Sequence, residues 1–159
     1  MPKPASTLSV FALEGVLVDI PSGESISACT PSRLTGSEFR RSVGDKNAVT
    51  VVVSDRDSRF YTETWMWLHK HFRVISGPRP TYLIMRDAGI PAPVLAIQTL
   101  KTMLVSNPSC NRISVLEKED AIISSYRDFI SGIKIPFWRI QKVSDGTIVT
   151  SASSFVDHS

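Results

Sequence analysis

Cysteine is scarce in this chain: 159 residues hold two, Cys29 and Cys110. Neither sits in a CxxC pair or beside a histidine cluster. That argues against a zinc site and a disulfide framework, and it fits a reducing, intracellular compartment. Histidine is scarce too, with three in all. His69 and His71 are two apart on a predicted helix, point to different sides and read as surface residues rather than ligands to one metal. No apolar run approaches the ~20 residues of a membrane-spanning helix, so no membrane insertion is expected. The opening MPKPASTLSV lacks the apolar stretch of a signal peptide and the Arg-rich amphipathic helix of a mitochondrial presequence. Cytoplasm and mitochondrial matrix both stay open, the latter through internal signals or earlier processing. There is no internal repeat and no low-complexity tract.

What is present is an ordinary globular composition with a mild positive charge. The apolar fraction is 42% and the net charge is +3, enough to permit an acidic partner such as RNA but not to require one. The length implies one domain, taken as residues 1–151, with 152–159 as a flexible tail. Thr7–Leu13 is an apolar, β-rich run that ends at Glu14-Gly15. Ala48–Val53 is an unbroken β-branched run, the pattern of a strand buried on both faces of a parallel sheet. Tyr82–Met85 and Arg112–Leu116 are further strands. Residues 19–47, with Pro21, Gly23, Pro31, Gly36 and Gly44, read as a long loop with a short helix near Thr35–Val43.

Helices are predicted over Ser58–Phe72, with Tyr61, Trp65, Leu68 and Phe72 as the core stripe, and over Pro93–Val105, with Ile97, Leu100 and Leu104 inward. A third covers Glu119–Ile130, with Ile122, Tyr126, Phe129 and Ile130 inward. Phe137–Val143 and Thr147–Ser151 flank Ser144-Asp145-Gly146 as a hairpin with a three-residue turn. Strands alternating with helices define an α/β fold around a mainly parallel sheet, whose sites lie at the carboxyl ends of its strands.

Four ordered segments then carry a family resemblance: VFALEGVLVDI (Val10–Ile20), VVVSDRDSRF (Val51–Phe60), YLIMRDAGIPAP (Tyr82–Pro93) and ISVLEKEDAIISSYRDF (Ile113–Phe129). Together they resemble the haloacid dehalogenase (HAD) superfamily, in the form of the phosphatase domains of polynucleotide-kinase and RNA-repair proteins. The resemblance implies a HAD-like Rossmannoid three-layer sandwich without a large cap and with a C-terminal hairpin. It also implies a pocket in which one aspartate attacks phosphorus, a second two residues on acts as acid and base, a Ser or Thr and a Lys hold the phosphate, and a last acidic pair binds Mg²⁺.

Placed on this sequence, the roles fall on degenerate residues. The nucleophile position is Ala12, the acid/base position Glu14, the phosphate hydroxyl Ser54, the lysine position Ala96 and the acidic pair Glu117-Lys118. The expectation is therefore a pseudoenzyme with no catalytic residue, no metal and no cofactor. It would serve as a structural subunit among other proteins, in an assembly that could contain RNA, such as an organellar ribosome. An active phosphatase for nucleic-acid terminal phosphates, with Mg²⁺ and with Glu14 or Asp19, is the alternative. A binder of a phosphorylated ligand through Ser54 and the backbone of the Gly15 turn is a third.

Contact candidates are Trp67, on a second face of its helix with Phe60, Thr64 and His71, and the basic run Arg56, Arg59, Lys70, Arg73, Arg79 and Arg86 around Tyr82. The hairpin adds Lys134, Phe137, Trp138, Arg139 and Lys142. Trp67 lies about 200° around the helix from Trp65. It marks either a helix buried on both sides or an exposed anchor. The basic run could face RNA or simply be a solvated surface.

Overall fold

The computed structural model describes residues 4–20, 24–87 and 89–154. Pro21 and Gly23 of the predicted loop, and residues 155–159 of the predicted tail, lie outside them. Six strands form one sheet in the order β3-β2-β1-β4-β5-β6. They are β1 (Thr7–Ala12), β2 (Ala48–Asp57), β3 (Thr81–Arg86), β4 (Arg112–Glu117), β5 (Phe137–Ser144) and β6 (Thr147–Ser153). All neighbours are parallel except β5 and β6, which are antiparallel. The helices are α1 (Arg33–Val43), α2 (Tyr61–Phe72), α3 (Ala92–Ser106) and α4 (Asp120–Ser131).

The parallel strands feed two cores, because alternate side chains leave a strand on opposite faces. On one face Phe11, Val52, Leu83 and Leu116 meet Phe39 of α1 and Leu68 and Phe72 of α2. On the other, Leu8, Val10, Val51 and Val115 meet Leu100 and Met103 of α3 and Ile123 and Ile130 of α4. The sheet is therefore covered by helices on both sides, which explains why β1 and the start of β2 lack polar alternation. Phe39 is the centre of the first core. Its ring makes edge-on contacts with Phe11 at 5.1 Å and Phe72 at 4.8 Å.

Helix faces depart from the predicted stripes. In α2 the buried residues are Thr64, Trp67, Leu68 and Phe72, while Tyr61 is 44% exposed and Trp65 only half-buried. The reason is a short 3₁₀ turn, Ile26–Ala28, which lies against α2. The Glu63 carboxylate accepts hydrogen bonds from the Ser25 hydroxyl and the Ile26 N–H (3.0 Å), and the Trp67 indole N–H donates to the Cys29 carbonyl at 3.0 Å. In α3 the buried face is Leu95, Ala96, Thr99, Leu100 and Met103, with Ile97 and Leu104 at its margin. In α4, Ile123, Tyr126 and Ile130 are buried, with Ile122 and Phe129 beside them.

Two further boundaries move. α1 begins at Arg33, so the predicted loop is shorter than expected. Ser144 pairs with Thr147, which leaves Asp145-Gly146 as a two-residue turn with φ of 46° and 79°. Two positive φ values in a hairpin loop match the twist of the strands it joins. Strand β6 runs on to Ser153, so Ala152 and Ser153 belong to the sheet rather than to a tail.

Phe39→Ala is expected to cost about 3–5 kcal/mol, the range for deleting a fully buried phenyl ring, measured as the loss in urea unfolding free energy.

Candidate functional site at the carboxyl edge of the sheet

Chain order reverses at β1: β2 and β3 lie to one side of it and β4 and β5 to the other. A crevice opens at such a switch point, outside the carboxyl ends of the strands. Here it is a pocket of about 350 Å³. Ala12 and Glu14 come from the end of β1, Ser54 and Asp55 from β2, and Glu117 from β4. The first turns of α3 and α4 close it, bringing Ala96 and Glu119. The structure thus gathers Ala12, Glu14, Ser54, Ala96 and Glu117 around one cavity. Lys118 and Asp19 do not join them: both line a separate small cleft. Lys118 lies with its stem over Gly15, where a Cβ would come within 2.5 Å of its Cδ.

The segment after β1 is held tightly. The Gly15 N–H donates to the Val18 carbonyl at 2.8 Å, and the Leu17 and Val18 N–H groups return to the Leu13 carbonyl. The Thr35 hydroxyl donates to the Val16 carbonyl. Gly15 has φ of 77°, a left-handed conformation that glycine adopts without strain. This anchoring aims Glu14 across the strand ends toward β2. The Ser54 hydroxyl donates to Glu14 Oε1, the Asp55 N–H donates to Oε2 at 3.1 Å, and the Arg56 N–H donates to Ser54 Oγ at 3.1 Å. The Ser54 hydroxyl is thus bound to a carboxylate of the same chain, and the Gly15 N–H is also engaged. The sheet register shifts between Ser54 and Asp57, which lets these residues turn over the strand ends.

The electrostatics of the pocket are one-sided. Glu14, Asp55, Glu117 and Glu119 line it, and among the described residues no Lys, Arg or His does. Asp55 has an exposed partner, Arg86, at 3.2 Å. Glu117 is 6% exposed and accepts a hydrogen bond from the Lys118 N–H at 2.8 Å. Burial pushes its carboxyl up to about 7; the charges of Glu119 and Glu14 add to this, while the backbone N–H groups of Lys118 and Glu119 oppose it. Burial, with a contribution from Glu117, also drives the Tyr126 phenol well above its ordinary range. Sequence reasoning placed Tyr126 in the core and not at the site. Only the four-residue spacing from Ile122 to Tyr126, two turns into α4, hinted that the ring could reach the strand ends.

The contact candidates do not form one surface. Trp67 is 3% exposed and hydrogen-bonded inside the chain, so it is no surface anchor. Its second face is the one turned to the core. The basic run is divided between the two ends of the sheet. Arg56 and Arg59 both lie over the Phe60 ring, at 4.7 and 4.9 Å, beyond the carboxyl end of β2. Arg79 reaches the Lys46 carbonyl ahead of β2, at the opposite end. Arg73 is the left-handed residue that ends α2. His71 packs beside Trp67, with ring centroids 4.8 Å apart, and is half-buried rather than at the surface. Lys142 pairs with Asp120 at 2.7 Å. Trp138 and Arg139 instead join Arg112 and Phe137 in a shallow basic and aromatic surface at the amino ends of β4 and β5, with the Arg112 guanidinium 5.4 Å from the Phe137 ring centroid. The exposed Lys134 stands three residues before it. Arg112 was not among the candidates, because only strand register shows that it faces Phe137.

No protein-family model matches the chain, and no curated protein matches it at a significant level.

Because the folded protein holds the Glu117 proton more tightly than the unfolded chain does, stability falls as pH rises from the ordinary glutamate range through about 7. Between pH 5.5 and pH 8 this group is expected to remove about 2 kcal/mol. Urea unfolding at both pH values should show Glu117→Gln losing less stability than the wild type by about that amount.

Proposed function

We propose that the chain is a HAD-like pseudophosphatase, catalytically inactive, that serves as a structural subunit of a larger, RNA-containing assembly. The observation that carries the first half is the Glu14 carboxylate on the Ser54 hydroxyl and the Asp55 N–H. A carboxylate in that seat takes up donors that a phosphoryl group would need. It also leaves a negative charge where a phosphate would have to sit. Ala12, beside it, has no lone pair with which to attack phosphorus.

The surroundings support the same reading. A phosphate entering the pocket would meet Glu117 and Glu119 and no cation. Two helix N-termini face the pocket, where backbone N–H groups would ordinarily attract an anion. In α3, however, the N-cap is Pro91 and the second helical position is Pro93, and neither has an N–H to offer. In α4 the N-terminus is preceded by Glu119 and opened by Asp120, whose carboxylates already satisfy its dipole. For Mg²⁺, the residues present fit poorly: Lys118 occupies the second place of the acidic pair, and no three acidic, histidine or cysteine side chains among the described residues converge as a metal-binding group.

The assembly half rests on the Arg112, Phe137, Trp138 and Arg139 surface. The Arg112 guanidinium over the exposed Phe137 ring, with the exposed Arg139 two residues on, suits a phosphate backbone with an unstacked base. The edge strand β6 supports a protein neighbour, since TIVTSAS carries no charge and no proline to discourage pairing.

With Mg²⁺ present, the chain should release no phosphate from p-nitrophenyl phosphate or from a 3′-phosphorylated oligonucleotide, and Ala12→Asp should not restore turnover. Mg²⁺-dependent turnover abolished by changing Glu14 or Asp19 would overturn the inactive reading. In cell extract the tagged chain should migrate in a particle that ribonuclease breaks down. The double variant Arg112→Ala, Arg139→Ala should leave that particle while unfolding normally in urea. A free monomer of 17.6 kDa, with and without ribonuclease, would remove the assembly reading.

A further inference from the structure

We infer that the carboxyl-edge pocket binds a small organic ammonium ion with an apolar body. The pocket lining is of two kinds: Pro93, Leu95, Ala96 and Ile122 are apolar, and Glu14, Glu117 and Glu119 bring carboxylates, with no positive side chain in the lining among the described residues. The floor adds a second, independent feature. Tyr126 is 2% exposed, lines the same cavity and lies within the electrostatic reach of Glu117. Its hydroxyl has no hydrogen-bond partner among the described residues. An ammonium N–H entering the pocket supplies the missing partner, donating to the Tyr126 oxygen while a second N–H meets the Glu117 carboxylate.

The alternatives fit less well. An anion meets the carboxylates and finds α3 without the donors that Pro91 and Pro93 lack. An inorganic cation needs several carboxylates to converge on one point, and those described do not form such a group. A neutral apolar molecule would bring no donor to the Tyr126 oxygen and no charge to offset the carboxylates. A cavity of about 350 Å³ admits a single ring or a short branched chain, at the small end of ligand sites. This inference stands on the pocket itself and not on the absence of phosphatase turnover, so turnover and binding assays fail separately.

The probe is benzylammonium, titrated into the full chain at pH 8 and followed by calorimetry and amide NMR shifts. Benzyl alcohol and phenyl phosphate are the controls that carry the same ring with no charge or a negative one. Benzylammonium should saturate, benzyl alcohol should bind at least about tenfold more weakly, as expected when a charge-assisted contact is lost, and phenyl phosphate should not bind. At pH 6 the ionised fraction of Glu117 is lower, and the apparent affinity should fall about tenfold. The groups facing Glu117 are Glu14 after β1, Glu119 ahead of α4, Tyr126 on α4 and the Lys118 backbone; Asp55, across the pocket on β2, is already paired with Arg86. Glu117→Gln should abolish the ammonium preference, and Tyr126→Phe, which keeps the ring, should weaken binding severalfold. Absence of saturation by benzylammonium overturns the inference. So does equal affinity for benzyl alcohol, or unchanged binding in a folded Tyr126→Phe variant.

Discussion

Strand β1 has no free side. β2 and β4 take up its backbone on both edges, and helices cover both its faces. A strand in that position must be apolar along its length, because a polar side chain there would need a partner the core does not hold. Ser9 is the only polar residue of β1 past its first position, and it too is buried. Chemistry can therefore appear only where the strand ends. The same confinement applies to β2 and β4, and their ends lie beside that of β1. The pocket follows from the sheet: three buried strands stop together, and Ala12-Glu14, Ser54-Asp55 and Glu117 are the residues that first escape the core.

Glu14 shows what that confinement does to a carboxylate. Two donors from the neighbouring strand end receive it, so the negative charge is kept in the pocket by hydrogen bonds instead of being balanced by a cation. Glu117 has less. It is buried, its hydrogen bonds come from backbone N–H groups, and Glu14 and Glu119 stand near it. Two acidic groups in one cavity are thus held differently: Glu14 accepts from a side-chain hydroxyl and a backbone N–H of β2, while Glu117 accepts only from backbone N–H groups. Lys118 could have offset this charge. Its stem instead lies over Gly15, whose missing side chain makes that path possible, and it lines the other cleft.

The strands were legible because their signal is simple. A β-branched run such as AVTVVV has one plausible fate, and five of the six strands contain the predicted residues with only their ends extended. The resemblance placed Ala12, Glu14, Ser54, Ala96, Glu117 and Lys118 together; all but Lys118 line one cavity, Ala96 from α3 and the rest from strand ends that a parallel sheet brings side by side. Helix faces were harder. α2 carries aromatic residues on two sides, and periodicity cannot choose between Trp65 and Trp67. The choice is made by Ser25–Cys29, a loop segment with no periodicity of its own, whose backbone takes the Trp67 indole and the Glu63 carboxylate. The engagement of Ser54 by Glu14 was hidden for a related reason. Forty residues separate them, and only the anchored turn at Gly15 fixes the direction of the carboxylate.

The modest net charge of +3 conceals an uneven distribution. Around the pocket, at the carboxyl ends of the strands, the acidic groups Glu14, Asp55, Glu117 and Glu119 collect. At the amino ends of β4 and β5, Arg112 and Arg139 lie with Phe137 and Trp138. Parallel packing favours the first arrangement, because α4 points its N-terminus at the carboxyl edge, where Glu119 and Asp120 suit its dipole. It places no such demand on the other end, where Arg112 and Arg139 are exposed and Arg112 lies over the Phe137 ring. The acidic lining of the pocket and the cations of this surface therefore lie at opposite ends of one sheet. The cations at the carboxyl end are engaged outside the pocket, Arg56 and Arg59 over the Phe60 ring and Arg86 on Asp55, so the cavity itself keeps a one-signed lining.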